Sequence, residues 1–323
     1  FRIQKGFRMF FLEQCNRAVM DLLMLKFNNA KSGGKTDAVE YSYYDFDGAS
    51  YDLVNPDGDR SKLMLSVSLP YYNELKSHGA DAFLRQEYQG YIQPQPKPGY
   101  SVSLVFDLTK LPEDTDKLAE KASLLKRNCF ASVFHKYFDL QAKMEKGESA
   151  DQTRAVIHYR PQETLYIKAA PDRVTVIFST LFKDGNDSIL GKLFLQEFCE
   201  GRRATQTAPQ VLYRYREPPA ELSDCRDALV GENIGYVTFV LFPRHTKPQF
   251  RDTTIDLLHV FRDYVHYHIK CSKASLHTRL RGKTAEFLKV LNRAKPYTRE
   301  LRTISGRTFT IDPSLEQSNN KSG

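Results

Sequence analysis

Four groups of residues in this sequence have types and spacings that could do chemistry. Gly33-Gly34-Lys35-Thr36 has the ending of a phosphate-binding loop. That loop needs a further glycine at position 29 and a strand before it. Position 29 is Asn, and a helical pattern precedes it, so a turn between helix and strand is expected instead. Asp45, Asp47, Asp52, Asp57 and Asp59 crowd one hairpin. A calcium loop needs alternating ligands closed by a bidentate glutamate, and none sits at that spacing, so turn chemistry is the expected use of these aspartates. His266, His268 and Cys271 raise a metal site. Residues two apart on a helix point to nearly opposite sides, however, so the two histidines do not share an ion. His259 and His266 share a face but lack a third ligand. No G-x-S-x-G, H-E-x-x-H or G-x-G-x-x-G string is present. No catalytic residue, metal or cofactor is therefore expected.

The fourth group lies on one long helical pattern over 249–295. About 45 helical residues extend roughly 65–70 Å, more than a domain of about 150 residues covers. Leu258, Val265, Ile269, Leu276, Leu280, Phe287 and Leu291 recur on one face in steps of 3, 4 and 7, which predicts a seam for a partner helix. A neighbouring arc of about 80° carries Phe261, Tyr264, His268, Arg279, Lys289 and Arg293. Rings give contact area and cations give charge match, so this mixture suits a binding face. The plainer readings are packing of the seam on the protein's own sheet and an ordinary wetted helix face. Gly282 disfavours helix by about 1 kcal/mol and is expected to mark a bend.

The charge is placed at the same end. Residues 244–307 hold 15 Lys/Arg against 5 Asp/Glu, a balance of +10, whereas 1–243 and 308–323 come to −1 each. A localised basic surface implies an acidic partner: nucleic acid, anionic lipid or an acidic protein such as actin. With 41% hydrophobic and 27% charged residues, the 323-residue chain is globular rather than disordered, and long enough for two domains. No apolar run reaches 18 residues, so no membrane helix is expected. Cys15, Cys129, Cys199, Cys225 and Cys271 are odd in number and scattered, which reads as free thiols in a reducing compartment. Cys129 and Cys271 fall in apolar helical patterns and are expected to be buried. The N-terminus has no secretory pattern, and Met9 is the expected natural start, with 1–8 an extension.

The elements that must position these groups follow from periodicity. Helices are expected at 9–30, 70–89, 114–144, 186–201 and 249–295, with strands at 39–46, 49–54, 62–69, 100–107, 154–160, 163–169, 173–182, 210–215 and 234–242. The halves echo one another: PDGDRSKLMLSVSL (56–69) matches PDRVTVIFSTL (171–181). The expected fold is α+β: two tandem related α/β-sandwich-like domains with mixed or antiparallel sheets, each closed by a long helix. The domains are expected at 1–147 and 148–310, parted by Lys146-Gly147-Glu148-Ser149, with a disordered polar tail over 311–323.

LKRNCFASVF (125–134), EGRRATQTAPQVL (200–212), REPPAEL (216–222), NIGYVTFVLFPRHT (233–246), FRDYVHYHIKCSKAS (261–275) and FLKVLNRAKP (287–296) closely resemble the subunit 2 family of the actin-related protein 2/3 complex. The resemblance covers about 9–310 and departs at 1–8, at the tail and at Gly282. It implies a non-enzymatic scaffold that pairs with subunit 4 in a seven-subunit assembly containing the actin-related subunits. It further implies binding to the side of a mother actin filament, support of branch nucleation, and a cytoplasmic place in branched networks at the cell cortex and projections. The family's filament-facing aromatic and lysine fall on Phe261 and Lys289; Tyr264, His268, Arg279 and Arg293 join them by helical spacing alone. ATP binding in the complex belongs to the actin-related subunits. Neither nucleic acid nor membrane insertion is implied; a basic nucleic-acid-binding protein is the competing reading.

Overall fold

Residues 12–34, 37–45, 48–149, 153–203, 208–294 and 299–311 are described in this computed structural model. The chain divides into two compact units, Phe1–Ile269 and Lys270–Gly323.

The first unit opens with α1 (Arg17–Lys31), whose start is fixed by the Asn16 side chain accepting from the Val19 N–H at 3.2 Å. Strands β1 (Glu40–Tyr44), β2 (Ser50–Val54) and β3 (Lys62–Ser68) follow as an antiparallel meander. Two short helices, α2 (Tyr72–Ser77) and α3 (Ala80–Glu87), replace the single expected helix over 70–89. Gly79 at φ +96° divides them, a backbone setting that only glycine adopts cheaply. Strand β4 (Val102–Asp107) then pairs with β3, giving the order β1-β2-β3-β4. The expected helix at 114–144 is likewise two, α4 (Thr115–Ser123) and α5 (Leu125–Glu145), parted at Leu124.

The second half repeats the plan. Strands β5 (Ala155–Arg160), β6 (Glu163–Ala170) and β7 (Arg173–Leu181) form a meander, and α6 (Gly185–Arg203) crosses over. Strand β8 (Gln210–Tyr215) takes the outer edge, while β9 (Ile234–Leu241) returns beside β7, giving the order β5-β6-β7-β9-β8. In each half the third strand leaves a Pro-Asp turn and pairs antiparallel with a strand from beyond the crossover, β4 in the first half and β9 in the second. That is the structural counterpart of the repeated string. After α7 (Pro243–Thr246), α8 (Pro248–Arg293) runs 46 residues. A hairpin, β10 (Arg299–Arg302) and β11 (Thr308–Ile311), lies in the second unit, where no strands were expected. The fold is thus α+β, and every strand pairing among the described residues is antiparallel.

The long helix α5 organises the first unit. Eight consecutive residues, Arg127–Phe134, are buried, as are Tyr137, Phe138, Gln141 and Met144. A helix buried on every side cannot show one apolar stripe. It packs on α2 and α3 of the first half and on β6 and β7 of the second. One buried cluster accordingly takes in Val19, Leu53 and Phe106 around the first sheet and Leu165, Phe239 and Ile269 around the second. As independent domains, 1–147 and 148–310 remain a proposal.

Charged groups fasten α8 to this frame. Arg127 donates from Nε to Asp256 Oδ1 at 2.8 Å and from Nη2 to Asp252 Oδ1 at 3.1 Å. Arg251 pairs with Asp139 at 2.8 Å. Glu163, itself buried, accepts from Arg262 Nε at 2.8 Å and from the Leu181 N–H at 3.0 Å, with His266 Nε2 at 3.8 Å. Burial pushes the Glu163 carboxyl up most strongly. The nearby His266 imidazole and the charge and hydrogen bond of Arg262 together overcome it and hold the carboxyl below its ordinary value. The folded state therefore favours the ionised form. Stability from this group is full above the unfolded value and lost as pH falls through the folded one. Urea midpoints measured down through about pH 4 should fall less steeply for Glu163→Gln than for the native chain. Equal slopes would show that Glu163 is not the titrating group.

Candidate functional site

Helix α8 carries all the candidate residues, and its two stretches are best taken separately. Up to Ile269 the helix belongs to the first unit and buries Thr254, Ile255, Leu258, Val260, Phe261, Val265 and Ile269. Leu258, Val265 and Ile269, the first three seam residues, are thus spent on the protein's own core. Phe261 lies about 40° from Val265 around the helix, so it turns inward as well. Its ring is 4% exposed and touches Phe239, Phe178 and Phe198 at centroid separations of 4.8, 5.7 and 5.8 Å. The filament-facing role implied by resemblance does not fit a ring placed this way. Phe261 seats the helix on β7, β9 and α6.

Tyr264 and His268 are half-buried neighbours. The Tyr264 hydroxyl accepts the Leu12 N–H at 2.7 Å. His268 stacks on Phe194 at 4.6 Å and 19°. Burial pushes its imidazole pKa down, so the ring is neutral near pH 7 and adds surface rather than charge.

From Lys270 onward nearly every described side chain of α8 is exposed. Leu276, Leu280, Phe287 and Leu291 keep the seam going without a cover, Phe287 at 62% exposure. Two residues that the seven-residue steps skipped, Leu288 and Val290, are equally bare. Val290 falls between the seam and the basic arc, whereas Leu288 lies on the far flank of the seam, away from that arc; a wheel drawn over all of 276–291 would have shown both. Within 270–293 stand seven Lys/Arg and one acid, Glu286, and that acid is engaged by Lys283 at 2.9 Å. Arg279, Lys289 and Arg293 have no ion-pair partner among the described residues. The stretch therefore offers an apolar strip beside uncompensated positive charge. The helix continues through Gly282, where an added Cβ would meet nothing.

The other candidate groups are accounted for locally. Gly33, at φ +70°, ends α1 with its N–H on the Ala30 carbonyl; Lys35 and Thr36 lie outside the described residues. Asp45 accepts from Lys126 and from the Ala49 N–H. Asp52 accepts from Ser42 and Lys97, and Asp59 from Ser61 and Lys62. Asp57 is a turn residue at φ 52°, and Asp47 lies outside the described residues. His266 turns to Glu163 and His268 to Phe194. Among the described residues no group of three or more His, Cys, Asp or Glu is placed to hold a metal. No described helix is long and apolar enough to cross a membrane. Cys129 is buried as expected, but Cys271 is exposed, because it falls just beyond the last buried turn of α8.

Comparison with known proteins places this sequence beside one group. The protein-family model described as P34-Arc, the 34 kD subunit p34-Arc of the Arp2/3 complex, matches residues 65–298. Actin-related protein 2/3 complex subunit 2 of Schizosaccharomyces pombe is 40% identical over 317 residues, covering 92% of this chain and 98% of that protein. The protein of the same name from Dictyostelium discoideum is 38% identical over 306 residues, covering 93% and 99%.

Two outcomes follow from the placement of side chains on α8. Phe261→Ala should cost about 3–5 kcal/mol of unfolding free energy, as a large core ring lost into a cavity does, measured by denaturant titration. A change under about 1 kcal/mol would contradict its core placement. Thiol labelling of the folded chain should modify Cys271 quickly and leave Cys129, whose thiol burial pushes far up, untouched until denaturant is added.

Proposed function

The chain belongs to the family of the p34-Arc subunit of the Arp2/3 complex, and from that premise we propose a non-catalytic scaffold that holds a partner helix and binds the side of a mother actin filament. The family places it in a multi-subunit complex of the actin cytoskeleton. The finer assignment rests on one observation: the exposed stretch 276–291 combines an uncovered apolar strip with cations that the described residues do not neutralise. An apolar strip of that length on a soluble protein calls for a partner. Leu276, Leu280, Phe287 and Leu291 receive the partner helix, which the sequence resemblance assigns to subunit 4. The basic arc beside them supplies Lys289, Arg279 and Arg293 to an acidic filament. Tyr264 and His268 join this set by helical spacing alone, and Phe261 acts from inside the first unit by seating the helix. The assembly so formed works in branched actin networks of the cytoplasm. The nucleic-acid reading, drawn from charge alone, is not favoured by the family match.

Rim charges act mainly on encounter rate and salt sensitivity. In the assembled complex, Lys289→Glu should weaken cosedimentation with actin filaments roughly threefold to tenfold and lower branch density, the loss shrinking as salt rises. Arg279→Glu and Arg293→Glu should act in the same direction. Gel filtration checks that each complex stays whole. Variants that assemble, pellet and branch like the native complex would move the filament contact off this helix.

A further inference from the structure

The two sheets of the first unit have four outer edges, at β1, β4, β5 and β8. An open edge offers unpaired N–H and C=O groups to any other chain, and folded proteins usually guard it. Two of these edges are covered in part from within. Residues 91–93 line β4, with Val105 N–H on the Tyr91 carbonyl at 2.8 Å and Gln93 N–H on the Ser103 carbonyl at 2.9 Å. On β5 the His158 N–H goes to the Glu74 carboxylate at 2.6 Å. Strand β1 is short, five residues, and carries the exposed acid Glu40.

Strand β8 has no such cover, and its one charged residue is Arg214. Arg216 N–H bonds the Ile234 carbonyl at 2.9 Å, so by register Arg214, Leu212 and Gln210 face β9 with their backbone groups. The N–H and C=O of Val211, Tyr213 and Tyr215 therefore face outward, and among the described residues they meet no partner. The sequence here, QVLYRY, contains no proline, lysine or glycine. Leu212 is 45% exposed on the outer face. A groove of about 590 Å³ follows the strand, walled by Gln196, Cys199 and Glu200 of α6 on one side and Pro219–Glu221 on the other. At its Tyr215 end stand Lys192, 5.4 Å over the Tyr215 ring, and Arg214, neither with a carboxylate partner among the described residues. Arg216 also covers that ring and pairs loosely with Glu232 at 3.6 Å.

We infer that the β8 edge is a strand-addition site, taking an extended segment of another protein chain of the assembly. Among protein partners, a second extended backbone is what satisfies main-chain groups at alternate residues together. Six residues of strand span about 20 Å. The side chains select an incoming strand with an apolar residue beside Leu212 and a carboxylate toward Arg214 on the same face. This surface is separate from the α8 stretch.

Residue-resolved hydrogen exchange on the purified assembled complex tests the site. The Val211, Tyr213 and Tyr215 amides should exchange at least tenfold more slowly in the native complex than in one carrying Leu212→Lys, which sets a charge where the apolar contact lies. Leu212→Thr, a good strand former, should keep the protection. If the lysine variant instead sheds a component that Leu212→Thr retains, that component supplies the strand. Fast exchange of the three amides in the native complex would overturn the inference, as would protection that Leu212→Lys leaves unchanged. Filament cosedimentation is read in parallel: a loss of protection with filament binding intact belongs to this site alone.

Discussion

The structure of the first unit depends on one constraint: α5 must be buried on every side. Residues from both sheet-bearing halves enclose it, and one buried cluster runs through both. Arg127 shows what that costs and how it is met. A guanidinium this deep would be expensive alone, yet it forks to two aspartates one turn apart on α8 and to Asn128 beside it. Asn128 passes the chain of bonds to the Tyr88 hydroxyl, which donates to the Lys121 carbonyl. The polar atoms of α5 thus tie α8, α3 and α4 to one axis, and the direction of α8 through the first unit follows from it.

That arrangement splits α8 by electrostatics as well as by burial. Before Ile269 its charged residues largely answer a partner: Arg251 with Asp139, Asp252 and Asp256 with Arg127, Arg262 with Glu163. After it, seven cations face one engaged acid. The first stretch is internally neutralised and belongs to folding. The second holds charge and apolar area for something else.

The element order was readable because most strands alternate and Pro-Asp turns announce β3 and β7. Helix α8 was readable over nearly its whole length. The break at Leu124 was not, since no glycine or proline marks it and Leu124 itself departs only mildly from helical angles. The paired edge assignments were hidden too, because β8 follows α6 in sequence yet lies outside β9. At the site, periodicity found the face that includes Leu276, Leu280, Phe287 and Leu291. It could not say where along the face the protein's own sheet ends. Phe261 and Cys271 show this from opposite sides: one was expected exposed and is core, the other was expected buried and is bare. A helix wheel fixes angle, but burial also depends on axial position, which only the tertiary partner sets.

The bond from the Leu12 N–H to the Tyr264 hydroxyl joins groups 252 positions apart. On a ribosome adding about 5–20 residues per second, the first group waits some 13–50 s for the second. For that interval the start of the chain has no final station, and α5 has been made without the aspartates that Arg127 requires. The nascent chain must therefore carry an incompletely paired central helix until Asp252 and Asp256 are made, some 125–129 residues later. Cellular folding assistance would act on this protein before release, when the last quarter of the chain is still being made.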